Sequence, residues 1–117
     1  MANINYKTNY KADDKTLHNT MLFDFYGDLL TDKQREYFDL YHNEDLSLSE
    51  IAESAGITKQ GVYDIITRAE TTLMQIEQKT GIIQKWRETR TALEQAVADG
   101  AEVHPIALSY FQLDGDE

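Results

Sequence analysis

Seven side chains between positions 58 and 68 could do recognition chemistry: Thr58, Lys59, Gln60, Tyr63, Asp64, Thr67 and Arg68. On one helix their spacing would set them outward together. A glutamine can read adenine through two hydrogen bonds, and a lysine can meet guanine or a phosphate. The other candidates are weaker. His18, His42 and His104 are scattered without metal-ligand spacing and read as surface residues. Ser47, Ser49, Ser54 and Ser109 lack a nucleophile-elbow pattern, and Ser47 is better placed as a helix cap. There is no cysteine, which removes disulfides, thiolate metal sites and a thiol nucleophile. No glycine-rich phosphate loop occurs. No metal, cofactor or catalytic residue is therefore expected, and the chain reads as a non-enzyme. The aromatic group Phe23, Phe25, Tyr26, Tyr37, Phe38 and Tyr41 could stack on RNA bases, but helical spacing beside leucines assigns it to a core.

The recognition residues need a frame, and residues 47–68 supply one. Ile51, Ala55, Ile57, Val62 and Ile65 are apolar where two crossing helices bury side chains. Ala52 is small at the closest approach, and Gly56 stands where the turn needs a positive φ. Ser47 with Glu50 predicts a capping box, and Thr58 a cap for the second helix. This is a helix-turn-helix, with the second helix in the recognition position.

Its surroundings are also helical. Leu22, Phe25, Tyr26 and Leu29 make one apolar helical face from about Leu17, widened by Phe23 and Leu30. Thr31 with Gln34 predicts a capping box for a helix ending near His42. Val62, Ile66, Ala69, Leu73 and Ile76 form a heptad seam that runs past the motif to a stop at Gly81. A fifth helix from about Ile82 to Ala98 carries Ile83, Trp86, Leu93, Ala96 and Val97. The fold class is all-α: a helix-turn-helix core of three to four helices plus a long C-terminal helix pair. Four segments are expected: a flexible arm over 1–16, the helix-turn-helix domain over 17–80, a C-terminal helix over 81–100 packing on the fourth helix or a dimer mate, and an acidic tail over 101–117. Leu73, Ile76, Ile83, Trp86 and Leu93 are the expected interface of a homodimer.

Charge limits the function. The 117 residues carry a net charge of −10. Residues 31–70, around the motif, hold four basic residues against nine acidic ones. Non-specific affinity for duplex DNA comes largely from phosphate contacts, so the unmodified monomer should bind DNA poorly. The same helix could instead pack a bundle and meet a protein, and the residues leave both readings open. No run approaches about 18 apolar residues, so no membrane span is expected. The N-terminus MANINYKTNYKADDK has no apolar stretch of a secretion signal, which points to the cytoplasm.

Residues 22–70 resemble the YlxM family of low-GC Gram-positive bacteria, most closely in the runs LLTDKQ, DLSLSEIAE and QGVYDII. The resemblance extends over about 17–97 and is most specific in its first half. It implies a fold similar to region four of bacterial sigma factors. It also implies a regulatory or accessory role in the signal recognition particle pathway, because the family's genes sit beside that of Ffh. Ffh or the particle's RNA would then be the partner, with sequence-specific binding of DNA as the alternative. The family's recognition-helix positions fall on Thr58, Lys59, Gln60, Tyr63 and Asp64, and no catalytic residues carry over. Gly61 stands where a small alanine is common, at a helix-propensity cost of about 1 kcal/mol.

Overall fold

The computed structural model describes residues 14–113 and contains only helices among them. α1 spans Asp14–Tyr26, a 3-10 turn follows at Gly27–Leu29, and α2 spans Asp32–His42. α3 (Leu48–Ala55) and α4 (Lys59–Thr80) form the helix-turn-helix. α5 (Ile82–Ala98) and a short α6 (Pro105–Tyr110) complete the chain. Residues 1–13 of the expected arm lie outside the described residues, and its last three residues belong to α1.

Local chemistry sets these boundaries. At both predicted capping boxes the side chain and backbone exchange hydrogen bonds. Thr31 accepts from the Gln34 amide at 3.2 Å, and Ser47 accepts from the Glu50 amide at 3.0 Å. Thr58 Oγ1 accepts from the Gly61 N–H at 3.0 Å. The first turn of α4 is therefore intact despite the glycine. Gly56 (φ 74°) and Gly81 (φ 63°) end α3 and α4 in the left-handed conformation that costs a glycine least.

α4 is the spine of the molecule, about 33 Å long at 1.5 Å per residue. Its apolar side serves two clusters. Val62 and Ile66 pack with Tyr37, Ile51 and Ala52, which locks α3 and α2 around the motif. Ala69 and Leu73 pack with Met21, Leu22, Tyr26, Phe38, Ile83 and Trp86, which joins α1 and α5 to the spine. Five of the six expected core rings join the two clusters: Phe23 stacks on Phe38 with centroids 5.2 Å apart, Phe25 meets Trp86 edge-on at 5.8 Å, and Tyr37 packs by the motif, whereas Tyr41, near the end of α2, is 38% exposed.

Four sequence expectations change. Leu29 is 67% exposed, because the chain tightens to a 3-10 turn at Gly27 and the α1 face stops at Tyr26. Met21 takes the expected core place instead. Ala55 and Ile57 are exposed rather than buried between the motif's helices. α5 packs chiefly on α1, not alongside α4. Of the residues expected at a dimer interface, Leu73, Ile83 and Trp86 are buried in the chain's own core, while Ile76 and Leu93 are half-buried. Finally, 101–113 is not simply a tail. His104 Nδ1 caps α6 by accepting from the Ile106 N–H at 3.1 Å, Pro105 fits its first position, and Phe111 returns to lie on Trp86 at 5.5 Å.

Candidate recognition surface on α4

With Val62, Ile66, Ala69 and Leu73 turned inward, the opposite side of α4 faces solvent. Two neighbouring rows, each stepping one helical turn, run over that exposed part: Lys59–Tyr63–Thr67 and Gln60–Asp64–Arg68. Lys59, Gln60, Asp64 and Arg68 are exposed, Tyr63 is 51% exposed and Thr67 is half-buried. Six of the seven predicted residues lie on the part of α4 outside the buried stripe, spread over about half its circumference, with Lys59 at one edge and Arg68 at the other. Thr58 stands apart from them, because its hydroxyl accepts the Gly61 N–H as a cap.

The surface is electrically mixed. The Gln60 side-chain amide donates to Asp64 Oδ1 at 2.9 Å, so a carboxylate holds the glutamine best placed to read a base. Along α2, Lys33 lies 5.9 Å from the Tyr37 ring centroid, and Arg35 pairs with Asp28 at 3.1 Å. That pair is exposed and worth little. Glu50 is spent on the Ser47 capping box.

Two polar contacts that position this surface have no signature in the sequence. His42 Nε2 meets Glu70 at 2.7 Å, tying the end of α2 to the middle of α4, while the His42 ring lies 4.3 Å from Phe38. At the other end of α4, Glu77 accepts from the Tyr26 hydroxyl at 2.5 Å and from the Ile83 and Gln84 N–H groups at 3.0 and 3.1 Å. Glu77 thus caps α5 and clamps α1 to the α4–α5 corner. Partial burial pushes its pKa up, but the Tyr26, Ile83 and Gln84 hydrogen bonds and the nearby His18 outweigh that and hold it below the usual value. Burial and the Glu77 carboxylate push the Tyr26 phenol up. His18 lines an open groove of about 440 Å³ with Glu77, Ile83, Gln84, Arg87 and Glu88. Among the described residues no three His, Cys, Asp or Glu side chains gather as a metal site. No helix there is long and apolar enough to cross a membrane.

A short α3, a left-handed glycine turn and a long α4 with an exposed polar N-terminal half define a helix-turn-helix protein. The UPF0122 family model, described as "Putative helix-turn-helix protein, YlxM / p13 like", matches residues 13–105, and the chain belongs to that family. A UPF0122 protein of Thermoanaerobacter sp. (strain X514) is 46% identical over 91 residues, covering 78% of this chain and 77% of the relative. One of Halalkalibacterium halodurans is 46% identical over 82 residues (70% and 75%). One of Bacillus cereus (strain AH187) is 43% identical over 94 residues (78% and 86%).

Proposed function

We propose that this chain is a non-enzymatic regulatory or accessory protein of the signal recognition particle pathway. It works by presenting the exposed side of α4 to a protein or ribonucleoprotein partner. The pathway rests on the resemblance of residues 22–70 to the YlxM family. The observation that carries the mode of action is Asp64 on the recognition side of α4, holding Gln60 at 2.9 Å. A carboxylate there opposes a phosphate backbone, and the chain's net charge of −10 opposes it at longer range. Tyr63 and Arg68, toward the two flanks of the exposed part of α4, are the residue types that anchor protein interfaces.

A second reading, a sequence-specific DNA-binding regulator, is favoured by Lys59, Gln60 and Arg68 on a capped helix in the recognition position. Capture from lysate with and without nuclease separates the two. Recovery of Ffh with the particle's RNA protected or absent supports the first reading. Recovery of DNA fragments alone, lost on nuclease treatment, overturns it. Salt gives a second readout: contact with duplex DNA should weaken steeply as salt rises, and a protein contact only slightly.

A further inference from the structure

We propose that Asp64 is a specificity-determining residue: its carboxylate keeps the exposed side of α4 off duplex DNA and occupies Gln60, which would otherwise read adenine. This deepens the reading of α4 as a surface for a protein or ribonucleoprotein, and rests on it. Gln60 and Asp64 lie one turn apart near the middle of the exposed part of α4, between Lys59 at one edge and Arg68 at the other. When a helix-turn-helix docks on DNA, this N-terminal half of the second helix meets the base edges. The Gln60–Asp64 pair would then sit deepest in the major groove.

Neither side chain suits that groove as it stands. Guanine N7 and O6, adenine N7 and thymine O4 are acceptors, and only cytosine N4 and adenine N6 donate. An ionised carboxylate is an acceptor only. Facing other acceptors, Asp64 would lose water without gaining a partner. Gln60 reads adenine by donating to N7 and accepting from N6. Here its amide donates to Asp64 Oδ1 at 2.9 Å, and a hydrogen bond to a charged acceptor is stronger than a neutral one.

The negative charge is not offset. Among the described residues no lysine or arginine pairs with Asp64, although Arg68 stands one turn further along; Arg35, Lys85 and Arg90 pair elsewhere. Asp64 is exposed and its side chain bonds Gln60 alone among the described residues, so the fold does not depend on it. A protein surface can supply the donors that a base edge lacks. The carboxylate that turns DNA away therefore leaves α4 open to a protein.

The test titrates full-length wild type, Asp64→Asn and Asp64→Ala into a fluorescein-labelled duplex at low salt, then selects from a random duplex library. Asparagine removes the charge and keeps an acceptor for Gln60, whereas alanine removes both. Asp64→Asn should bind at least about tenfold more tightly than wild type. Asp64→Ala should bind at least as well as Asp64→Asn and enrich duplexes that share an adenine. Adding Gln60→Ala should abolish that preference and keep the affinity gain. Glu102→Gln, between α5 and α6, changes the net charge equally and should gain less than about twofold. If wild type binds too weakly to measure, Glu53→Lys is added to every chain, because it gives α3, the helix that crosses the phosphates, a cation. Circular dichroism checks each fold. The proposal is overturned if neither Asp64 variant binds more tightly than its parent, if Glu102→Gln gains as much, or if the enriched sequences survive Gln60→Ala. It is also overturned if wild type binds a specific duplex and Asp64→Asn loses it, since Asp64 would then read cytosine. Failure of Ffh to bind would count against that partner and leave the gains of the Asp64 variants in place.

Discussion

Replacing Glu77 by glutamine should loosen the corner where α4, α5 and α1 meet, and the loss should depend on pH. The carboxylate accepts three hydrogen bonds, from the Tyr26 hydroxyl and the Ile83 and Gln84 amides. A glutamine keeps one acceptor oxygen and places an NH₂ donor where the second oxygen stood, so at least one of the three donors loses its partner. A hydrogen bond to a charged group contributes roughly 1.5–3 kcal/mol when desolvated. Glu77 is only half-buried and water can replace part of that, which leaves about 1–2 kcal/mol. For a domain of this size the unfolding midpoint should drop by roughly 5–10 °C. The sign of the pH effect follows from the carboxylate's lowered pKa. Its stabilisation is complete above the ordinary carboxylate value of 4.5 and is lost as pH falls through the lower folded value. Thermal unfolding followed by circular dichroism at pH 7 and near pH 3 should show a wide gap between wild type and Glu77→Gln at neutral pH and a narrow one in acid. A gap of equal size at both pH values, or none at pH 7, would show that the Glu77 carboxylate does not hold this corner.

Three other substitutions test the frame. Leu73 is fully buried among side chains of its own chain, so Leu73→Ala should cost about 2–5 kcal/mol. Its denaturant midpoint should not move over a tenfold range of protein concentration, and a midpoint rising with concentration would return Leu73 to a dimer interface. Gly56→Ala meets no atom within 4 Å, so only the left-handed backbone opposes it, at roughly 1–2 kcal/mol in urea unfolding; no loss would mean that the turn had rearranged. Arg90→Met removes the donor to the Phe111 carbonyl, and hydrogen exchange over 105–111 should speed up. Unchanged exchange there would show that something else holds α6.

Much of this frame was legible because its chemistry is local. A threonine or serine three residues before a glutamine or glutamate, and a glycine at a helix end, need no distant partner to act, and Thr31, Ser47, Gly56 and Gly81 all behave as read. Periodicity likewise identified the inward side of α4. It could not say what covers that side. The heptad seam is the same whether a second copy or α1 lies over Leu73, and here α1 does. α6 escaped because a six-residue helix offers too few turns for a pattern, and its hold on the chain comes from Arg90. Sequence neighbourhood is also silent on His42 with Glu70, 28 residues apart, and Tyr26 with Glu77, 51 apart. Of the recognition surface, residue types and spacing were readable. The capping role of Thr58 was readable too, whereas the Gln60–Asp64 hydrogen bond was not.

If the exposed side of α4 serves a protein or ribonucleoprotein partner of the signal recognition particle pathway, purified Ffh should bind there. Titrating fluorescently labelled chain with purified Ffh, alone and bound to the particle's RNA, tests it most directly. Binding should be saturable, and Tyr63→Ala and Arg68→Ala should each weaken it by about tenfold or more with the fold intact by circular dichroism. Its salt dependence should be shallower than that of duplex DNA binding. No binding to either form of Ffh, or binding that both substitutions leave untouched, would contradict it.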